Sequence, residues 1–157
     1  MHHSNNIKSS FTITKQNNIH CPSCNLKAKT VPVSAINHFL KDELKKSISS
    51  LEEFSFCSTP TCKVVYFRNT YAIYQSDIKY SIGIKENATP ATVCFCFNWT
   101  KEKIEEQVQN SGDSTAIIDI QNNMKEGSCN CEVNNPRGRC CMSDVKKAIR
   151  DIKMKYS

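Results

Sequence analysis

The sequence is poor in the residues that build a large apolar core and in those that build nucleotide-binding loops. Hydrophobic residues make up 39% of its 157 positions and aromatic residues only 8%, against roughly 45–50% hydrophobic residues in typical domains. Because the whole chain has only 4 glycines, a Walker loop or a glycine-rich dinucleotide loop is excluded. Neither a Ser–His–Asp or Cys–His signature nor paired carboxylates stand out, so the sequence does not indicate an enzyme.

Long apolar segments are also missing. The chain starts with the polar run Met-His-His-Ser-Asn-Asn-Ile-Lys-Ser-Ser, whereas a secretory signal needs an apolar stretch of roughly 7–15 residues. No segment approaches the roughly 20 apolar residues of a membrane span. We therefore expect a cytoplasmic protein that has no membrane partner.

Cysteine, in contrast, is abundant, with ten residues. Disulfides belong to oxidising compartments and metal thiolates to reducing ones, so a cytoplasmic location favours metal binding over disulfides. The formal charge of +6 could suggest nucleic acid, but that count treats every thiol as neutral. Four thiolates on Zn²⁺ and four on an oxidised 2Fe–2S core would together offset about four positive charges, so we expect no nucleic-acid partner.

The chain divides by composition into a tail and two modules. Residues 1–20 are rich in Asn, Ser and Lys and predict a flexible tail. We predict a zinc-binding module of strands and helix at 21–88 and a mostly helical module that binds a 2Fe–2S cluster at 89–157. A polar segment that ends at Pro90 marks the boundary between them. The predicted fold class is therefore α+β.

In the first module, one helix and three strands are predicted. Strands are expected at 54–57, 63–67 and 71–74, and the last two form a hairpin around Asn69. The helix is capped by Ser34 and its apolar face consists of Ile36, Phe39, Leu40, Leu44 and Ile48.

Three helices are predicted in the second module. Thr100 caps the first, which ends at Gly112, and Ser114 caps the second, which ends at Gly127. The third opens at Cys141 and presents the apolar residues Val145, Ala148, Ile149 and Ile152.

The first four cysteines have the spacing of a structural zinc site. A Cys21-x2-Cys24 turn lets two sulfurs reach one ion at about 2.3 Å, and Cys57-x4-Cys62 supplies a second pair from a turn between strands. With four thiolates there is no open position for water, so the zinc should be structural. His20, beside Cys21, is an alternative ligand.

The other six cysteines form three close pairs, Cys94-x-Cys96, Cys129-x-Cys131 and Cys140-Cys141. Zinc rarely uses Cys-x-Cys as its opening pair, whereas the iron of a 2Fe–2S cluster can take two ligands that close together. A cysteine at a helix start, as Cys141 is predicted to be, aims backbone amides and the positive end of the helix dipole at an anionic cluster.

Two related families share these motifs. Cys94-Phe95-Cys96, 32 intervening residues before Cys129, and a cysteine that opens the final helix resemble the bacterioferritin-associated ferredoxin fold. That family holds its 2Fe–2S cluster with Cys-x-Cys, about 32 residues, and Cys-x2-Cys. Here the closing pair is stretched and carries Asn-Pro-x-Gly-Arg-Cys-Cys at 135–141, which resembles the N-terminal half of CopZ-type copper chaperones. Three upstream motifs fit the same half: Cys21-Pro22-x-Cys24, Phe56-Cys57-x4-Cys62 and Val64-Val65-Tyr66-Phe67.

The CopZ-type resemblance implies a ligand set for each metal. The implied zinc ligands are Cys21, Cys24, Cys57 and Cys62, and the implied 2Fe–2S ligands are Cys94, Cys96, Cys131 and Cys141. The ferredoxin spacing instead favours Cys129 over Cys131. In the CopZ-type register, Cys129 and Cys140 are spare thiols, which could hold soft Cu(I) briefly.

The same resemblance implies a non-enzymatic redox metalloprotein. It would transfer electrons in copper handling and could reduce Cu(II) to Cu(I), with an electron donor or acceptor protein, a copper chaperone or a copper ATPase as partner. Because no cysteine follows Cys141, we expect the copper-carrying heavy-metal-associated domain to be absent.

Two alternatives remain. One is a general 2Fe–2S electron-transfer partner of a reductase or an iron-storage protein, unrelated to copper. The other is a zinc-ribbon module for nucleic acid, which predicts a clustered basic face, whereas the lysines here are scattered over predicted helices.

Overall fold

The computed structural model describes residues 19–157, so the predicted tail at 1–20 lies outside the described residues except for its last two positions. In chain order the elements are α1 (Val33–Phe39), α2 (Asp42–Ser47), β1 (Ser55–Phe56), β2 (Val64–Arg68), β3 (Tyr71–Tyr74), a 3-10 turn (Gln75–Asp77), β4 (Thr92–Cys94), β5 (Trp99–Thr100), α3 (Lys101–Ser111), α4 (Ala116–Lys125), α5 (Cys131–Asn134) and α6 (Met142–Lys155). None of the helices within this range is long and apolar enough to cross a membrane.

The first part of the chain is built on a three-stranded antiparallel sheet in the order β1–β2–β3. The predicted strands and hairpin are confirmed, and Asn69 takes a positive φ of 55° in the turn between β2 and β3. β2 has buried residues on both of its faces. Tyr66 belongs to the main apolar core, whereas Val64 and Phe67 pack around buried cysteines.

The single helix predicted after Ser34 is wrong, because the chain forms two short helices with a break at Leu40. Leu40 is extended, with ψ of 141°, and pairs with Ile78 in an isolated bridge. Lys41 donates its amide to the carbonyl of Asp77 at 2.9 Å. Backbone hydrogen bonds to a distant segment thus replace the helical ones, and this tertiary pairing overrides the local apolar period.

Ser34 is not the N-cap of α1, which is Pro32. The Ser34 hydroxyl instead donates to the carbonyl of Glu132 in α5, at 3.3 Å.

The second part of the chain is mostly helical, as predicted. Thr100 caps α3 by accepting a hydrogen bond from the Lys103 amide at 3.1 Å, and Gly112 ends that helix with φ of 85°. The N-cap of α4 is Thr115 rather than Ser114, although the Ser114 hydroxyl still accepts the amide of Ala116. A short hairpin of β4 and β5 precedes these helices. The structure as a whole confirms the predicted α+β class.

The two parts pack directly on each other. Helix α1 lies against α5, and the Phe39 ring meets the Phe95 ring edge-on with centroids 5.2 Å apart. The buried Tyr66 hydroxyl donates to the carbonyl of Pro136, at 2.5 Å. Gly138 lies so close to Pro32 that a Cβ atom on the glycine would be 2.3 Å from the proline Cδ. The boundary predicted between residues 88 and 89 stays a prediction.

Candidate metal centres

The first pair of cysteines lies in a tight turn at the start of the described chain. The Asn25 amide donates to the carbonyl of Cys21 and the Cys21 amide to the carbonyl of Leu26, both at 2.9 Å. Asn25 takes a φ of 63°, a left-handed conformation that asparagine tolerates better than most residues. This turn places the sulfurs of Cys21 and Cys24 on one side, where the first is buried and the second exposed.

The second pair comes from the connection between β1 and β2. Cys57 directly follows β1 and donates its amide to the carbonyl of Val65 at 2.9 Å. Cys62 precedes β2 and donates its amide to the carbonyl of Thr59 at 3.1 Å. Strand pairing thus holds the Cys57 end of the turn and a bond within the turn holds Cys62, and both cysteines are buried.

These four sulfurs meet at one point. Each lies within 4.8 Å of the other three, with 3.9 Å between Cys21 and Cys62 and 3.6 Å between Cys24 and Cys57. Four thiolates at about 2.3 Å from a tetrahedral zinc ion lie about 3.8 Å from one another. The donor set therefore fits Zn²⁺ with all four positions filled. The histidine at position 20 is not a member of this group.

The thiols of this group are tuned by their neighbours. Burial raises the pKa of Cys57 to about 12, although the ammonium of Lys85 opposes that shift. Burial acts in the same direction on Cys24, but hydrogen bonds from the Thr59 hydroxyl, the Leu26 backbone and the neighbouring thiols lower its pKa to about 6. A bound cation deprotonates a coordinating thiol, so metal binding here would release protons.

Five other cysteines gather in the second part of the chain. Cys94 ends β4 and Cys141 is the N-cap of α6, and α6 packs against β4. The neighbouring thiol of Cys141 lowers the pKa of Cys94 to about 7 despite burial. The same contact raises the pKa of Cys141, and burial adds to that rise.

The other three form a compact group. The Cys96 sulfur lies 3.6 Å from the sulfur of Cys131 and 4.0 Å from that of Cys129, and the latter two are 3.1 Å apart. The Asn130 amide donates to the Cys96 sulfur at 3.4 Å. Burial is the main cause that raises the pKa of Cys131, and the backbone amide of Cys141 opposes that rise.

The two subsets cannot serve one ion. Within residues 19–157, Cys94 and Cys141 fall outside the group of ligand atoms that lie within 4.8 Å of one another. A single tetrahedral ion would need its four sulfurs about 3.8 Å apart. The pair of Cys94 and Cys141 lies beside the group of Cys96, Cys129 and Cys131, because Cys141 is a neighbour of Cys131. The two subsets together therefore fit a centre with more than one metal ion.

The structure brings together nine of the ten cysteines. All four residues implied for zinc form one group, and all four implied for the cluster lie in the second gathering, which Cys129 joins. Cys140 is exposed beside Cys141. Sequence reasoning missed Thr59 and Lys85 at the first site and Asn130 at the second. Thr59 lies between Cys57 and Cys62 and Asn130 lies between Cys129 and Cys131, so proximity to ligands in the sequence could have indicated both. No such signal marks Lys85.

Fold and site together define a cysteine-rich metal-binding domain with one tetrathiolate site and a second cysteine cluster. The family model of the CopZ zinc-binding domain matches residues 18–79. Copper chaperone CopZ of Archaeoglobus fulgidus is 31% identical over 145 residues, which cover 86% of this chain and 69% of that protein. The X-ray structure of the N-terminal domain of A. fulgidus CopZ is 30% identical and covers 82% of this chain and 95% of that one, with a TM-score of 0.69.

The chain therefore belongs to the CopZ family and has the zinc-binding N-terminal domain of that family with two cysteine clusters.

Proposed function

We propose that this chain is a non-enzymatic cytoplasmic metalloprotein that carries one Zn²⁺ and one 2Fe–2S cluster and transfers single electrons in copper handling. The observation that carries the proposal is that the chain has, in addition to a complete tetrathiolate site, five thiols that come together in two subsets. A 2Fe–2S cluster takes four cysteine thiolates, two for each iron, and this requirement suits a divided set.

The chain's own groups favour a negatively charged centre at the second site. The Asn130 amide donates to the Cys96 sulfur, and the backbone amide of Cys141 lowers the pKa of Cys131. The first turn of α6 starts at Cys141, so the positive end of its dipole lies beside the thiols. Hydrogen bonds to ligand sulfurs and a helix N-terminus both stabilise negative charge, and hydrogen bonds to the sulfurs are among the features that set a cluster's reduction potential.

The copper role rests on the relative, which is named a copper chaperone. A 2Fe–2S cluster held by Cys94, Cys96, Cys131 and Cys141 would, once an electron-donor protein had reduced it by one electron, supply that electron to Cu(II) and so give Cu(I) and the oxidised cluster. Cu(I) prefers thiolates, and the exposed Cys140 and half-buried Cys129 are the thiols that the proposed zinc and cluster ligand sets leave free. A copper chaperone or copper ATPase is the proposed recipient.

Metal analysis tests the cofactors. Protein purified without oxygen should contain about two irons, two acid-labile sulfides and one zinc per chain, and its brown colour should bleach with dithionite. A colourless protein with two zinc ions and no sulfide would refute the cluster. If the reduced protein regains its absorption when one equivalent of Cu(II) is added, with Cu(I) trapped by a chromophoric chelator, the copper role is supported. A reduced protein that Cu(II) does not reoxidise would leave the general electron-transfer alternative.

A pair of variants tests the proposed ligands Cys94, Cys96, Cys131 and Cys141. The sulfurs of Cys129 and Cys131 are adjacent, so only their removal one at a time can separate them. We expect Cys131→Ala to lose visible absorption per chain and Cys129→Ala to keep it. Loss only in Cys129→Ala would restore the ferredoxin spacing and refute this ligand set.

A further inference from the structure

Lys85 is a buried lysine that has no acidic partner within the described residues 19–157. It is one of the few buried polar or charged residues, with 7% of the residue exposed. The Nζ atom donates to the carbonyls of Thr59 at 2.9 Å and Cys62 at 3.1 Å, and it lies 5.9 Å from the centre of the Phe56 ring. Ion pairs found within residues 19–157 do not include it. The partners that the described part of the chain gives to this ammonium, two carbonyls and an aromatic ring, are formally neutral.

A buried ammonium of this kind needs a compensating anion. The effective cost of burying an unpaired charge is several kcal/mol, and two carbonyl groups and one ring do not offset all of it. In folded proteins such a lysine is normally paired with a carboxylate or placed beside another source of negative charge.

The tetrathiolate site lies next to the ammonium and can supply that negative charge. Both carbonyls that hold the ammonium belong to the turn between β1 and β2: Cys62 is a member of the tetrathiolate group, and the Thr59 hydroxyl lies 3.3 Å from the Cys24 sulfur. Four thiolates around a dication carry a net charge of about −2. The ammonium contacts the backbone of that turn at both of these carbonyls.

We propose that Lys85 is the charge partner of the tetrathiolate metal centre: it offsets part of the negative charge that metal-bound thiolates bring into the interior and holds the Thr59–Cys62 turn in its ligating shape. The inference concerns the first site alone and stands whether or not the second site carries iron. It makes Lys85 a positioning residue for zinc and not a ligand.

The backbone around Lys85 supports this placement. The Glu86 amide donates to the carbonyl of Pro60 at 2.9 Å, so the segment around Lys85 is tied to the same turn by main chain as well as side chain. Gly83, two residues earlier, donates its amide to the carbonyl of Thr92 in β4 at 2.9 Å. The backbone that carries Lys85 is therefore tied on both sides, and its side chain starts from a fixed position beside the turn.

The test is the affinity and release of zinc in three variants with a matched control. Lys85→Met removes the charge at similar length, Lys85→Gln keeps a donor for the carbonyls without the charge, and Lys85→Arg keeps the charge. Lys63→Met removes one charge from an exposed lysine next to Cys62, so it changes the net charge equally. Competition with a chromophoric chelator gives the zinc affinity, and the first-order colour change gives the release rate, after zinc analysis has verified loading.

We expect Lys85→Met and Lys85→Gln to bind zinc about 10- to 100-fold more weakly, which is the usual effect of removing a group that supports metal ligands. Lys85→Arg should recover most of that loss, and Lys63→Met should stay within about twofold of the wild type. If Lys85→Met does not fold, the comparison of Lys85→Gln with Lys85→Arg decides the matter. Wild-type affinity in Lys85→Gln would overturn the proposal, because hydrogen bonds alone would then suffice; so would equal losses in Lys85→Gln and Lys85→Arg.

Discussion

The hydrogen bond from Tyr66 to Pro136 offers a direct measure of how strongly the two parts of the chain depend on each other. Tyr66 lies on β2 with 0% of its surface exposed, and burial raises the pKa of its hydroxyl, so the group is a neutral donor at any working pH. Its acceptor is the carbonyl of Pro136, which is itself buried, in the loop that leads to Cys141.

Replacing Tyr66 with phenylalanine removes only the hydroxyl and leaves a buried carbonyl without this donor. The expected loss is about 1–3 kcal/mol of unfolding free energy, because the unpaired group keeps its desolvation cost. With a urea m-value of about 2 kcal/mol/M, the midpoint of unfolding should fall by about 0.5–1.5 M. Tyr71→Phe at an exposed position of β3 is the control, and it should shift the stability by less than about 0.5 kcal/mol.

The assay is urea unfolding of the metal-loaded protein, followed by the fluorescence of its single tryptophan, Trp99. Trp99 lies in β5, and its indole N–H donates a hydrogen bond to the carboxylate of Asp119 in α4. Its fluorescence therefore reports on the second part of the chain, whereas the substitution lies in the first. A Trp99 transition at the wild-type urea concentration in Tyr66→Phe would show that the two parts unfold independently and would refute the reasoning.

Two further predictions concern the metal site and the contact between the two parts. Cys62→Ser should contain no zinc in metal analysis and should lose its native near-ultraviolet dichroism, because a closed tetrathiolate site supplies folding free energy. The control Cys140→Ser, at an exposed cysteine, should keep both the zinc and the dichroism. A Cys62→Ser protein with native dichroism would show that the site is not structural. Gly138→Ala should lower the midpoint of thermal unfolding by clearly more than Gly112→Ala does. Both glycines have positive φ, but only at Gly138 would the new Cβ atom collide with a neighbour, at 2.3 Å from Pro32. Equal shifts in the two variants would mean that backbone strain alone is at work and that the close packing is not a constraint.

Much of the fold could be predicted because its signals are local. The hairpin of β2 and β3 follows from a run of β-branched and aromatic residues and an asparagine at the turn, and α3 follows from a threonine cap and a terminal glycine. The break at Leu40 could not be predicted this way. It depends on pairing with Ile78, and a partner nearly forty positions away leaves no mark on the local apolar period.

The same difference between local signals and distant contacts applies to the two metal sites. Cys21-x2-Cys24 is a turn of adjacent residues, so its spacing alone indicates that two sulfurs can share an ion. At the second site five thiols converge from β4, α5, the start of α6 and the adjoining loops, and Cys129 and Cys131 both lie near the Cys96 sulfur. Spacing cannot rank two sulfurs that lie at nearly equal distance from the same neighbour, and that is why the two registers remained open.

The contacts between the two parts suggest why a zinc site and a second cysteine cluster occur in one chain. They concentrate on the segment from α5 to the start of α6, which carries Cys131 and Cys141: the Ser34 hydroxyl holds the carbonyl of Glu132, the Tyr66 hydroxyl holds that of Pro136, and Gly138 is packed on a proline. Each of these groups comes from an element of the zinc-binding part. Strand β2, which carries Tyr66, begins two residues after Cys62, so the turn that would bind zinc and the loop that positions the second cluster share one rigid strand. Pairing with β1 and β3 already holds that strand, and a metal ion in the tetrathiolate site at its N-terminal end would add a further constraint on the loop that carries Cys141.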